Sequence, residues 1–168
     1  MNRRNRTLSF LVAGSAFVVH MYDLGILSPG WMLLIGLQFL VWPHLLYSLS
    51  KSAEDPAVAE SRNTIFDAVA FGFWSAAAGV TPWIIFMCLT GATINPCVFR
   101  GKKGLFQGLA GYVVGLLLAL LFVDVTFAKH ASMPVVVIVS LTLLYFLNSV
   151  ALGIYDRALR LHKVTAQL

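Results

Sequence analysis

The segment from Phe39 to Tyr47 holds the residues of this chain whose types could do chemistry inside a membrane. Its sequence, Phe-Leu-Val-Trp-Pro-His-Leu-Leu-Tyr, places Pro43 and His44 within an apolar run that is long enough to cross a bilayer. A proline leaves a backbone carbonyl without its usual hydrogen bond, and lipid can satisfy neither that carbonyl nor an imidazole. Both groups therefore need a protein or water partner at that depth. An ionisable residue in such a place is a candidate for binding a ligand or a proton.

Four of the apolar runs are predicted to carry polar side chains at a similar depth. His44 lies seven residues, about 10 Å of helix, before Lys51, and Asp67 lies five residues after Arg62. The further members of this layer are Asn63, Asn95 and Asn148. One interpretation is a hydrogen-bond network between helices that only fixes their packing. The other is a pocket that senses a ligand or a proton.

In the second interpretation, the residues around the proline have separate roles. Pro43 opens the helix, and Trp42 shapes the pocket or anchors it. His44 and Asp67 form a pair that sets the charge state of the pocket. This hypothesis depends on the shared depth of the four residues.

A second polar group is predicted at the opposite end of the runs, and it consists of His20, Asp23, Asp124, Lys129 and His130. Ion pairs at the membrane surface explain these residues. A sensor of pH or ions is the alternative, because two histidines lie beside carboxylates. His20 and His44 are predicted near opposite faces of the bilayer, so they cannot ligate one haem iron together. A haem held by copies of one histidine is a further alternative, but no cofactor and no metal site are predicted.

Composition identifies the elements that must position these residues. Of the 168 residues, 59% are apolar and 11% are charged, whereas soluble domains have about 25% charged residues. We therefore expect an all-α integral membrane protein surrounded by membrane lipid. The net charge of +5 does not indicate nucleic acid, because the charges lie between apolar runs, where they set topology. The sequence shows no phosphate-binding loop and no nucleophile beside a base, so no catalytic residue and no enzymatic activity are predicted.

The apolar runs predict six transmembrane helices, at about 8–23, 31–48, 64–80, 82–99, 105–127 and 133–155. The arginines before the first run resemble a signal peptide, but no small-residue cleavage site follows, so this run is expected to be a retained span. Gly79 and Pro82 predict a tight turn between the third and fourth runs, which would make them an antiparallel hairpin. One long helix over 64–99 is the competing interpretation.

The positive charges predict the orientation of these helices. Eleven of the twelve lysines and arginines fall in the two tails and in the loops after the second and fourth runs, whereas Lys129 alone lies in the intervening loops. Lysine and arginine concentrate on the cytoplasmic side of membrane proteins. Both termini are therefore expected in the cytoplasm, with a six-helix transmembrane domain over 1–155 and a cytoplasmic C-terminal signalling helix over 156–168.

Glycines in the fifth run predict close helix packing. Gly101, Gly104, Gly108, Gly111 and Gly115 follow each other at intervals of 3, 4, 3 and 4 residues, so all five are expected on one helical face. Small residues on one face allow two helix backbones to approach closely. The partner could be another helix of the same protomer or the same helix of a second copy in a dimer.

The last residues predict an amphipathic continuation of the sixth helix. A weak heptad pattern with intervals of three and four residues is formed there by Leu152, Tyr155, Leu159, His162 and Ala166. This segment is either an ordinary helix end on the membrane surface or one half of a parallel helix pair. A parallel pair would transmit a change in the sixth helix to a domain beyond it.

The order of several motifs resembles a known family. These motifs are Trp42-Pro43-His44-Leu45 with Tyr47, then Asp55-Pro56, Asn63, Asp67-Ala68 and Met87-Cys88-Leu89. Together they are similar to the membrane-associated sensor domain of the second type (the MASE-two family). Members of that family are N-terminal sensory anchors of bacterial diguanylate cyclases and class III adenylate cyclases, and they act as dimers.

The resemblance implies a homodimeric sensor of the bacterial inner membrane that controls cyclic-nucleotide synthesis. Its ligand would be an unidentified small or lipophilic molecule. The sequence shows no cyclase region, so the output domain would act in cis in a longer protein or in trans as a partner. A small proton-coupled transporter or channel, and a purely structural dimerising anchor, are the alternative functions.

Overall fold

The computed structural model describes residues 3–128 and 130–165, and this part of the chain is all-helical. The elements in chain order are α1 (Arg3–Asp23), α2 (Pro29–Gly36), a π-helix (Leu37–Val41), α3 (Trp42–Lys51), α4 (Pro56–Ala77), α5 (Pro82–Phe122) and α6 (Met133–Thr165). Lys129 and Ala166, which carry sequence-based predictions, fall outside the described residues.

Two helices begin with capping signals that are visible in the sequence. The Ser28 side chain accepts a hydrogen bond from the Trp31 backbone N–H at 3.3 Å, and Pro29 begins α2. The Asp55 carboxylate accepts from the second and third backbone N–H groups after it, at 2.9 and 3.1 Å, and Pro56 begins α4. In each case a short polar side chain satisfies backbone donors that have no partner within the helix, and proline takes a position that needs no donor.

The second apolar run forms one rod from Pro29 to Lys51 that is interrupted by the π-helix. The backbone N–H of Trp42 donates to the carbonyl of Leu37, which lies five residues earlier instead of four. Pro43 follows directly and has no N–H to offer to the preceding turn. The proline predicts a break in the helix, and the structure has a widened turn there that accommodates Pro43. Turns of this kind are frequent at functional sites.

The helix α5 is bent back on itself at Gly101. This residue has φ 57° and ψ −139°, which only glycine adopts readily, and it separates two arms over 82–100 and 102–122. A Cβ atom on Gly104 would overlap the carbonyl of Pro96, and one on Gly108 would overlap the carbonyl of Ala92, so the arms are antiparallel and in close contact. The expectation that Gly101 shares the face of the other glycines is wrong, because its positive φ makes it the turn.

The remaining glycines of the second arm lie against α4. Gly111 is close to the backbone of Ile65, and a Cβ on Gly115 would overlap the carbonyl of Val69. On α4, a Cβ on Gly72 would in turn overlap the carbonyl of Tyr112. The helices α4 and α5 therefore form a tight three-rod unit, and the four glycines Gly104, Gly108, Gly111 and Gly115 are buried within the protomer.

The predicted turn between the third and fourth runs is confirmed. The helix α4 ends at Ala77 and α5 begins at Pro82, with Gly79 at φ +86° between them. The alternative of one long helix over 64–99 is wrong, because the positive φ of Gly79 and the proline at the start of α5 both end a helix.

An aromatic cluster joins α1 to the π-helix and α4. Phe39 of the π-helix packs against Phe10 and Phe17 of α1, with ring centroids 6.0 and 5.1 Å apart, and against Trp74 of α4 at 5.6 Å. A Cβ on Gly14 would lie 2.8 Å from the Cβ of Phe39, so α1 approaches the π-helix closely. The helix α1 also packs against α6.

Among the described residues, three helices are long and apolar enough to cross a membrane: Pro29–Lys51, Pro82–Phe122 and Met133–Tyr155. The apolar part of α1, Thr7–Asp23, is a shorter helix of the same character. The helix α6 continues without interruption from its apolar part to Thr165. These features are those of a membrane protein, while the six crossings and the cytoplasmic termini stay predictions.

Candidate signal-sensing site

The structure joins two of the predicted site residues across the helices α3 and α4. The indole Nε1–H of Trp42 donates a hydrogen bond to Oδ1 of Asp67, at 3.2 Å. Asp67 is 4% exposed, so its carboxyl group is removed from solvent, while Trp42 is half-buried. Indole N–H is a donor only, and a carboxylate oxygen is an acceptor, so the pair is chemically matched. Burial in a low-dielectric region makes this bond costly to leave unmade.

The π-helix positions the donor of this bond. Trp42 is the first residue after the widened turn, and Pro43 behind it is fully buried. The direction in which the indole projects therefore depends on the five-residue turn as well as on the proline. His44, the next residue, is half-buried, and its predicted pairing with Asp67 stays a hypothesis.

A second polar pair lies one helical turn before Asp67. The side-chain amide of Asn63 donates to the hydroxyl of Ser50 at 2.7 Å and is 3.5 Å from the carbonyl oxygen of Leu46. Sequence patterning did not identify Ser50, although a serine at the end of an apolar run is a typical hydrogen-bond partner between membrane helices. The pairs Trp42–Asp67 and Asn63–Ser50 together fasten α3 to α4.

The other two members of the predicted polar layer lie elsewhere. Asn95 lines a small cavity of about 40 Å³ between α1, α4, α5 and α6, which Ser9 and Thr142 also line. Asn148 is exposed on α6 and donates to the carbonyl of Leu144 in its own helix, at 2.7 Å. The sequence gives depth in the membrane, but it does not give the order in which helices surround each other, so side chains at one depth fall in three places.

The end of the molecule that carries His20 is held together by backbone contacts. His20 is buried, and its Nε2 lies 3.3 Å from the carbonyl oxygen of Gly79. The segment after α5 pairs with the same turn, because Val80 N–H donates to Thr126 O at 2.8 Å and Ala128 N–H donates to Val80 O at 3.1 Å.

Two side chains complete this end of the molecule. Asp23 accepts a hydrogen bond from the hydroxyl of Ser132, which links the end of α1 to the start of α6. Asp124 and His130 are exposed. His20 and Asp23 thus each tie two parts of the chain together, which is the packing role that such residues commonly have, while a pH-sensing role for them stays a prediction.

The tip of the α5 hairpin carries an arginine that bridges the three-rod unit. Arg100 Nε donates to Ser61 Oγ of α4 at 2.6 Å, and its Nη1 donates to Gln107 Oε1 of the second arm at 3.0 Å. The residue precedes the turn at Gly101, so one guanidinium fixes both arms to α4. Sequence patterning assigned Arg100 only to topology and missed this contact.

A groove beside Trp42 was also missed. It has a volume of about 470 Å³, and Gln38 of the π-helix lines it together with Trp42 and Trp74. A glutamine four residues before the tryptophan, within an apolar run, was the available signal. Its position on the helix surface depends on the widened turn, which the sequence does not reveal.

Comparison with known proteins places these features in a family context. Residues 2–90 match the sequence profile of the MASE2 domain, and this region contains both Trp42 and Asp67. The chain is also 32% identical, over 143 residues, to the probable diguanylate cyclase DgcC of Escherichia coli strain K12 and to the protein of the same name in a second Escherichia coli strain. Each match covers 77% of this chain and 35% of the relative, so the chain spans about a third of the relatives' length. No solved structure matches the chain.

Proposed function

Because the chain belongs to the MASE2 domain family, a family of membrane-associated sensor domains, we propose that it regulates a nucleotide cyclase as a dimeric anchor of the bacterial inner membrane. The observation that carries the proposal is the family match over residues 2–90, which includes the Trp42–Asp67 bond between α3 and α4. The matched relatives are named as probable diguanylate cyclases, so a diguanylate cyclase is the output that we favour.

The contacts of the π-helix suggest a route from this site to an output domain. A change at Trp42 would move the adjoining π-helix, whose Phe39 packs on α1. The helix α1 packs on α6, and α6 is continuous to Thr165. Coupling between distant sites requires an element with two arrangements, and the π-helix is the element that we propose for this role, with the widened turn as one arrangement and a regular turn as the other.

The dimer interface that we propose lies in the C-terminal part of α6. Leu152 and Tyr155 are 64% and 60% exposed, and they belong to the predicted heptad pattern. Gly104, Gly108, Gly111 and Gly115 of α5 are covered by the chain's own helices and leave no surface for a second copy there. A parallel pair of α6 helices would bring two output domains together, which is the arrangement that a dimeric cyclase needs.

The proposal is tested with the complete 168-residue chain fused to a diguanylate cyclase domain, with cyclic di-GMP measured in cells and expression checked. We expect Asp67→Asn and His44→Ala to change cyclase output by several-fold, and a matched change at the exposed Ser140, Ser140→Ala, to leave it unaltered. Wild-type output in both site variants would sink the role of this site. Replacement of the whole chain by an unrelated dimeric anchor is the second arm, and unchanged regulation there would show that nothing is sensed.

A further inference from the structure

The groove beside Trp42 is open on the outer surface of the apolar helices, which we expect to face lipid. It lies between the Pro29–Lys51 rod and α4, and Leu118 of the second α5 arm also lines it. Two of its lining residues are partly open to the surroundings, because Phe66 is 61% exposed and Leu118 is 38% exposed. A volume of about 470 Å³ falls within the range of roughly 300–1,000 Å³ that is usual for small-molecule sites. A molecule dissolved in the bilayer could therefore enter without crossing water.

One amide side chain interrupts the apolar lining of this groove. Gln38 can donate two hydrogen bonds and accept others, yet none of the described residues forms a hydrogen bond with its side chain. It lies nine residues after Pro29 and thirteen before Lys51, which is close to the middle of the rod. Polar groups at that depth in a membrane are costly unless they have a partner, and they mark functional sites. The groove therefore calls for a ligand with a hydrogen-bonding group that can reach Gln38.

The walls of the groove are aromatic. Trp42 uses its N–H in the bond to Asp67, so its ring surface is what remains for a ligand. Trp74 and Phe73 add further rings, which pack edge-to-face at 6.2 Å with an interplanar angle of 86°. Flat, polarisable rings stack well on such surfaces, and the preferred arrangements are offset or edge-on.

We propose that this groove binds a lipid-soluble quinone. The ring would lie among the aromatic side chains, with one carbonyl oxygen accepting a hydrogen bond from the Gln38 amide and the isoprenoid tail extending into the bilayer. Binding itself is independent of cyclase control, whereas its meaning as a signal rests on the proposed function.

Other membrane molecules fit the groove less well. A phospholipid headgroup stays at the bilayer surface and cannot reach the middle of the rod, and an acyl chain has nothing that can bond to the amide. A helix from a second copy has its backbone groups already satisfied. A quinone has a compact polar ring that resides among the lipid tails, and it combines the flat shape, the acceptor oxygen and the lipid solubility that the site requires.

The test uses the complete chain in lipid nanodiscs, titrated with decylubiquinone while tryptophan fluorescence is recorded. Two of the four tryptophans line the groove, so a bound quinone should quench a large, saturable fraction of the emission. We expect Gln38→Met, which keeps the side-chain length but removes the amide, to weaken binding at least tenfold. Ala70→Phe should abolish saturable quenching by filling the groove, in which Ala70 is a lining residue. Ser140→Met, on the exposed face of α6, should bind like the wild type.

Each other outcome overturns a defined part of the reasoning. Quenching that rises linearly and equally in all variants reflects quinone dissolved in lipid, and it refutes the site. Equal saturable binding of decylubiquinone by the wild type and Gln38→Met refutes the role of the amide. Lipids with brominated acyl chains also quench tryptophan when they lie against it. If decylubiquinone fails to displace that quenching, the groove holds lipid tails instead of a quinone. If Ala70→Phe does not fold, as judged by its melting curve, Gln38→Met decides. Saturable quinone binding without any effect on the cyclase fusion would leave the binding site intact and refute the quinone as the signal that controls the cyclase.

Discussion

A substitution at Gly115 tests whether the glycine face of α5 packs within the protomer. The change Gly115→Ala adds a single Cβ that would overlap the carbonyl of Val69 and approach the backbone nitrogen of Phe73 to 2.8 Å. Both are backbone atoms of a helix, so neither can rotate away as a flexible side chain would. The helices α4 and α5 would have to separate, and the close contacts along Gly72 and Gly111 would loosen with them.

The expected decrease in the free energy of unfolding of Gly115→Ala follows from two opposing effects. Forcing an extra carbon into a well-packed contact lowers the free energy of unfolding by about 1–3 kcal/mol. Because its Cβ would clash with backbone atoms, Gly115→Ala is expected at the upper end of that range. Alanine stabilises a helix relative to glycine by about 1 kcal/mol. The net destabilisation is therefore about 2 kcal/mol, which corresponds to a decrease of roughly 30-fold in the ratio of folded to unfolded protein.

Gly153 of α6 is the matched control. A Cβ there meets no atom within 4 Å, so Gly153→Ala should be neutral or slightly stabilising. Stability is measured by equilibrium unfolding of the detergent-solubilised chain in sodium dodecyl sulfate, followed by circular dichroism. If Gly115→Ala unfolds like Gly153→Ala but reduces dimerisation, the glycine face meets a second copy and its packing against α4 is incorrect.

Three further predictions concern single contacts. Trp42→Phe removes the hydrogen bond to Asp67 but keeps an aromatic ring, and it should destabilise by about 0.6–1.7 kcal/mol in the same unfolding assay; no loss would show that the bond is unimportant for stability. Gly101→Ala should destabilise by about 1–3 kcal/mol although its Cβ meets no neighbour, because its φ of 57° and ψ of −139° are strained for alanine; a neutral result would contradict the hairpin turn. Leu152→Cys should form an intermolecular disulfide on mild oxidation of membranes, which is seen as a dimer on a non-reducing gel. Leu117→Cys, on the lipid-exposed face of α5, should not form this dimer. Equal dimer yields from the two variants would refute the proposed α6 interface.

The helices and several of their boundaries could be predicted from local chemistry. Ser28-Pro29 and Asp55-Pro56 combine a capping side chain with a proline, and Gly79 allows a positive φ that no other residue takes readily. Each of these signals acts within a few residues, so a single sequence contains it completely.

The turn at Gly101 could not be predicted in the same way. It continues the 3-and-4 spacing of the following glycines, and nothing nearby distinguishes a glycine that turns the chain from one that packs. Its role depends on the fit of the two arms to each other, with Gly104 on Pro96 and Gly108 on Ala92. That fit is a tertiary property.

The candidate site was predictable in its members but not in all of its pairings. Trp42 and Asp67 were both identified, but the hydrogen bond between them was not, because their depth suggested only the imidazole of His44 as a partner of the carboxylate. The π-helix explains the difference, because one additional residue in a turn rotates the rest of the rod by about 100° about the helix axis. The same rotation decides which side of the rod carries Gln38. Sequence periodicity assumes a regular helix, so it does not predict on which side Gln38 lies.

Trp42 takes part both in the hydrogen bond with Asp67 and in the lining of the groove. Because they share this residue, the bond and the groove can be tested as a single mechanism. The N–H edge of Trp42 holds Asp67 of α4, while its ring lines the groove beside Gln38. A quinone in the groove would contact the Trp42 ring, so we expect binding and the α3–α4 contact to affect each other. By reciprocity, Asp67→Leu, which removes the acceptor oxygens, should change the affinity for decylubiquinone by the same factor by which the quinone changes the strength of this contact. If Asp67→Leu leaves the affinity unaltered in nanodiscs while Gln38→Met weakens it, the groove binds its ligand without coupling to the Trp42–Asp67 bond. A signal would then have to leave through other contacts, such as those of Phe39 with α1 and with Trp74.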